Sequence, residues 1–134
     1  GGGEGGGPGG GGDAEAAYAA AFHLPAVLQA ATAARWPELE GAYGALTTDG
    51  RWKVRRTLAC SLHEVAALLH AHGGPELCEA ALLPTLEAFL EDLDDVKAGV
   101  LSQVARTLAC LPPRARRARL PGLAAGQADG DKWG

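Results

Sequence analysis

One helix is written twice in this chain. Val54, Leu58 and Leu62 return 42 residues later as Val96, Val100 and Val104, and Arg55 returns as Lys97 directly after the leading valine. A four-residue spacing keeps each trio on a single helix face. A repeat of this length, about 40 to 47 residues with two antiparallel helices in each unit, belongs to arrays whose units bury their apolar faces only against neighbours. The work expected of such an array is binding.

The period predicts an all-α fold, an α-solenoid of HEAT-type antiparallel helix pairs. Composition agrees, because 47% of the 134 residues are hydrophobic and only 5% aromatic, which suits a core of Ala, Leu and Val. A net charge of −4 gives no overall pull toward nucleic acid or an anionic membrane. Cys60, Cys78 and Cys110 are widely spaced and include no CxxC pair. They predict neither a disulfide framework nor a zinc cluster, and a reducing compartment, cytoplasmic or nuclear or both, is expected. No signal peptide and no apolar run of membrane-spanning length is read from the sequence.

Residues 1–13 read as a Gly-rich disordered tail, since the first twelve hold ten glycines and offer almost nothing to bury. The remainder, 14–134, reads as the repeat domain. A partial unit covers 14–34, with Tyr18, Phe22, Val27 and Leu28 as a loose apolar stripe interrupted by Pro25, which predicts one helix or a kinked pair. A full repeat covers 35–72, with Leu39, Tyr43 and Leu46 on its first helix and Val54, Leu58, Leu62, Val65 and Leu69 on its second. The next covers 75–111, where Leu82, Leu86 and Phe89 answer Leu39, Tyr43 and Leu46 at a shift of 43. The extra residue falls in the turn inside the unit, where an insertion costs least. Gly73, Gly74 and Pro75 separate the two repeats, and Pro112 and Pro113 stop the second. A last partial unit covers 114–134, with Leu120, Leu123, Asp129 and Trp133 in repeat-like positions. The chain opens on glycine and stops just past Trp133, so truncation at both ends is expected.

The pentapeptide Arg56-Thr57-Leu58-Ala59-Cys60 recurs as residues 106–110 at a shift of 50. At that shift the turn aspartates and leading valines lose their partners, so it is read as coincidence.

Turn-facing ends are where solenoids usually meet partners, and this places the candidate partner-binding residues at Trp52, Lys53, Arg55, Arg56, Asp92, Asp94, Asp95 and Lys97. Two internal roles compete. Arg55 is expected to pair with Asp92 or Asp95 of the adjacent turn, and Asp94 or Asp95 to cap the helix after them. His63, His70 and His72 lack the further ligands of a tetrahedral metal site and read as surface or packing residues. Cys60 and Cys110 read as small buried apolar groups. The basic run Arg106, Arg114, Arg116, Arg117 and Arg119 has no interleaved aromatics and reads as a solvated face rather than a nucleic-acid surface. No motif of nucleophilic, phosphate-binding or metal-dependent catalysis is present, so no catalytic residue, metal or cofactor is assigned.

The stretch Arg35-Trp36-Pro37 through Tyr43, the run WKVRRTLACSLHE from Trp52 to Glu64, and Leu83-Pro84 followed by FLEDLDDVKAGVL resemble the HEAT-repeat regulatory subunits of serine/threonine protein phosphatase 4, those of the subunit 1 and subunit 1-like kind. The resemblance covers most of residues 22 to 134. Arg116 and Arg117 match a basic element of that family, whereas Ala115, Ala118 and Arg119 depart from it. What the resemblance implies is a non-catalytic regulatory or scaffold subunit, which binds a protein serine/threonine phosphatase catalytic subunit and directs its choice of phosphoprotein substrates. Metals and chemistry would then belong to the partner. A generic HEAT-repeat scaffold of another assembly, resembling the phosphatase 2A scaffold or a transport receptor, is the alternative.

Overall fold

The computed structural model describes residues 10–31 and 33–119, and among them all regular structure is helical. Helix α1 spans Gly10–Ala31, a short 3-10 turn Ala33–Arg35 comes next, and α2 spans Trp36–Thr47. Helix α3 is a continuous run Trp52–Leu90 that reverses at Gly74, so it comprises two arms. Beyond it lie helices α4, Asp94–Leu101, and α5, Val104–Ala109, and a helical segment α6 covers 113–119.

Gly74 makes the reversal possible. Its φ of 77° with ψ of −175° lies in territory that only glycine enters cheaply. Pro75 directly after it fits the opening turn of the second arm, where no helical donor is needed. The side chain of Cys78 on the second arm donates to the Ala66 carbonyl of the first, at 3.2 Å. The two arms therefore fold back on each other.

The repeat seen in the sequence is a repeat of burial. Val54, Leu58 and Leu62 are no more than 1% exposed, and Val96, Val100 and Val104 no more than 4%. The correspondence continues beyond the trio, because Val65, Ala66 and Leu69 are buried, as are Thr107, Leu108 and Leu111 at the same shift. Leu82, Leu86 and Phe89 complete the seam from the second arm of α3. The two copies lie alongside one another: a methyl built on Gly99 would stand 3.0 Å from Cys60 Sγ and 3.5 Å from Ala59 Cβ. Thr57 is the residue equivalent to Gly99, so the contact is in register.

The outer helices stack in the same sense. Arg114 pairs with Glu79 at 2.7 Å and Arg119 with Glu87, so α6 runs parallel to the second arm of α3. Ala14 and Tyr18 of α1 lie beside residues 50–54, and Phe22 and Ala26 beside Arg56 to Glu64, so α1 runs parallel to the first arm. The pentapeptide at 56–60 begins one turn into the first arm, whereas 106–110 closes α5. Its two copies occupy unrelated places.

Three expectations are corrected. The buried face of α1 is Ala21, Leu24, Pro25 and Leu28, whereas Tyr18, Phe22 and Val27 are exposed. The 21/24/28 spacing is itself helical, but bulkier neighbours outweigh it in a plain reading of hydrophobicity. Helix α1 carries Pro25 inside it as one run, the first of the two forms expected, and Gly10 already belongs to the helix, so the predicted tail is shorter within the described residues. The second helix of the second repeat is not continuous, since it breaks at Ser102 and Gln103, where the Ser102 hydroxyl donates back to the Gly99 carbonyl at 2.7 Å. Residues 1–9 and Leu120, Leu123, Asp129 and Trp133 lie outside the described residues.

The first repeat is also anchored by a pair the pattern did not single out. Trp36 and Tyr43 are both buried, their rings edge-to-face with centroids 5.5 Å apart. The Tyr43 hydroxyl has no hydrogen-bond partner, and burial pushes its pKa up.

Leu58→Ala, at a fully buried seam position, is expected to lower stability by about 2–5 kcal/mol, and His70→Ala, on an exposed face, by less than about 0.5. Chemical denaturation of the two variants checks this, and equal losses would contradict the face assignment.

Candidate partner-binding surface

Each repeat turns a corner with an aspartate. Asp49 Oδ1 accepts the Arg51 backbone N–H at 2.8 Å, and Asp92 Oδ1 accepts the Leu93 N–H at 2.6 Å. These local bonds fix the turns ahead of α3 and α4. The two aspartates are equivalent at the shift of 43, and one side chain ties them together.

That side chain is Arg55. Its Nε and Nη2 donate to the two carboxylate oxygens of Asp92 at 2.8 and 3.0 Å, and its Nη1 donates to the Asp49 carbonyl at 2.6 Å. A bidentate fork of this kind is the strong geometry for an arginine–carboxylate pair. Both side chains are largely shielded, at 17% and 14% exposure. Hydrogen bonding from Arg55 holds the Asp92 carboxyl below the usual carboxylate range, and the pair raises the Arg55 pKa in turn. Asp49, bonded first by Arg51, is lowered to about 2.

Of the eight residues singled out in the sequence, Arg55 and Asp92 are thus committed to each other. The remaining six follow the same two turns in the chain. Trp52 is half-buried at the start of α3, with the Lys53 ammonium 5.8 Å from its ring centroid. Lys53 and Arg56 are exposed, and Lys97 is half-buried at the position equivalent to Arg55. Asp94 and Asp95 are exposed in the first turn of α4, and neither caps it: the N-cap is Leu93, with no side-chain capping bond. Their placement still favours the positive end of the helix.

Other candidates fall elsewhere. Cys60 is exposed rather than buried, because besides meeting Gly99 it borders the open groove against α1; Cys110 is half-buried. His63, His70 and His72 gather no third ligand, and no group of three or more His, Cys, Asp or Glu able to hold a metal occurs among the described residues. Arg114 and Arg119 of the basic run are engaged in stacking α6. No described helix is long and apolar enough to cross a membrane.

What sequence reasoning missed is the apolar wall of α1. Tyr18 and Phe22 stand at 43% and 65% exposure, facing Arg56 and Cys60 of α3 across an open groove. The signal was present as aromatic residues one helical turn apart, but it was read as core.

Comparison with known proteins finds relatives of the chain. The family described as protein phosphatase 4 regulatory subunit 1 middle domain matches residues 20–125. Serine/threonine-protein phosphatase 4 regulatory subunit 1 of Homo sapiens is 42% identical over 92 residues, which is 69% of this chain and 9% of that protein. The same figures hold for the proteins of that name from Mus musculus and Rattus norvegicus. The chain therefore spans about a tenth of the length of these relatives. No solved structure matches.

Asp92→Asn is expected to cost about 1–2 kcal/mol at pH 7, because it removes the charge that faces a shielded guanidinium. Folding lowers the Asp92 pKa below its ordinary 3.8, chiefly through the hydrogen bond from Arg55, so its contribution is complete above that pH and is lost as pH falls through the lowered folded-state value. The stability gap between parent and variant should close over that window in acid denaturation. A gap independent of pH would contradict the ion pair.

Proposed function

Because the chain belongs to the family of the protein phosphatase 4 regulatory subunit 1 middle domain, we propose that it serves as a non-catalytic segment of such a subunit. In this reading it contributes to holding a phosphatase catalytic subunit of the phosphatase 4 kind and to directing that enzyme toward phosphoprotein substrates. The observation that carries the reading is the continuous turn edge. Arg55 clamps two successive turns, and so presents Trp52, Lys53, Asp94, Asp95 and Lys97 on one preformed surface rather than on independent loops. A rigid edge binds without a large ordering cost. Its mixture of opposite charges suits selection between similar partners better than raw affinity.

A generic HEAT scaffold remains the second reading, since the same edge would suit many assemblies. Affinity capture separates them. The chain, or a longer protein containing it, is expected to retain a phosphatase 4 catalytic subunit in preference to that of phosphatase 2A. The double reversal Lys53→Glu with Lys97→Glu should weaken that retention at least about tenfold without changing the melting temperature. Equal capture of both phosphatases, or of neither, would favour the generic scaffold.

A further inference from the structure

The groove between α1 and the first arm of α3 adjoins the turn edge at Trp52, Lys53 and Arg56 and runs away from it along both helices, and its role as a binding cleft does not rest on the phosphatase reading. Its walls are unlike the rest of the surface. Phe22 is the most exposed large apolar residue among those described, and it stands with Tyr18 and His23 on α1, its ring edge-to-face with that of His23 at 5.2 Å. Opposite lie Arg56, Cys60 and Glu64, enclosing about 490 Å³. Tyr18 also closes a second recess of about 250 Å³ beside Trp52 and Lys53, so the two spaces adjoin. Val27 points to the opposite side of α1, roughly 140° round the helix from Phe22, and plays no part.

Charge is graded along this groove. Lys53 and Arg56 sit near the turn end with no carboxylate partner among the described residues, although Arg35, Arg51, Arg55, Arg114 and Arg119 are all paired. Among the described residues, the only carboxylate lining either recess is Glu64, at the far end. The chain as a whole carries −4, so this local positive charge runs against the average. Apolar rings occupy the middle. From Gly50 to Glu64 the groove runs roughly 21 Å at helical rise, which matches about six residues of extended chain.

We infer that this groove is a docking cleft for an extended acidic segment of a partner protein, one that sets carboxylates against Lys53 and Arg56 and a bulky apolar side chain against Tyr18 and Phe22. Exposed aromatic anchors flanked by cations are the usual seat of binding energy in such clefts.

The test uses the whole 134-residue chain and a fluorescein-labelled octapeptide carrying three glutamates followed, one glycine on, by a phenylalanine, with fluorescence anisotropy as readout. Saturable binding in the micromolar range is expected, weakening as salt rises. Replacing the peptide's glutamates by lysines, or its phenylalanine by alanine, should each reduce affinity at least about fivefold, and so should Phe22→Ser and Arg56→Glu at unchanged melting temperature. A benzophenone in place of the peptide's phenylalanine should crosslink to the unaltered chain within residues 14–26, a readout that stands even where a variant fails to fold. No saturation up to about 1 mM, equal binding of the lysine peptide, crosslinks confined to other helices, or a dimer of the chain that Phe22→Ser turns into monomer would each overturn the inference.

Discussion

The seam between equivalent helices governs every other feature of this molecule. A single hairpin of this sequence has one apolar face and nothing to lay it against. Two hairpins in register give Val54, Leu58 and Leu62 a common interior with Val96, Val100 and Val104, and the second arm of α3 contributes Leu82, Leu86 and Phe89 to it. Burial on this scale supplies the favourable term that ordering the chain opposes. The register has a local cause at Gly99: with no side chain there, the two second helices approach until Cys60 Sγ lies within 3.0 Å of the place a methyl would take. Once the seam is fixed, the two turns are neighbours, and Arg55 reaches Asp92 with no further rearrangement.

Two sets of charges among the described residues do different work. Arg55 with Asp92, Arg114 with Glu79 and Arg119 with Glu87 each join one repeat to the next, with sequence separations of more than thirty residues. These pairs are specificity devices for stacking more than sources of stability, particularly the exposed Arg114. Lys53, Arg56, Lys97, Asp94 and Asp95 are left over for solvent or partners. The division tells which positions of a repeat are architectural and which are open to function.

Much of this was legible in the sequence because burial in a stacked array is periodic and residue type tracks it. The leading valines, the 43-residue match of the first helices and the break at Gly74 are all consequences of that periodicity. So is the link from Arg55 to Asp92, since equivalent turns must be neighbours in any parallel stack. Legibility fails where a position has no equivalent to be compared with. Helix α1 is read from its own residues alone, and its bulky Tyr18 and Phe22 drew attention from the smaller Ala21 and Leu24 that in fact face inward. Cys60 looked like a buried apolar group by composition, but its surroundings depend on Gly99, thirty-nine residues away. The stop at Ser102 depends on a side chain competing with the backbone, a contest that period alone does not register.

A double-mutant cycle between Cys60 and Gly99 tests the side-by-side register most directly. A methyl at position 99 has to push Cys60 Sγ aside from 3.0 Å in the parent chain, but finds room once that sulfur is gone. Gly99→Ala should therefore be about 1 kcal/mol or more less destabilising in a Cys60→Ala background than in the parent. If the cost of Gly99→Ala is the same in both backgrounds to within about 0.3–0.5 kcal/mol, the two helices do not meet there and the stacked repeat is wrong.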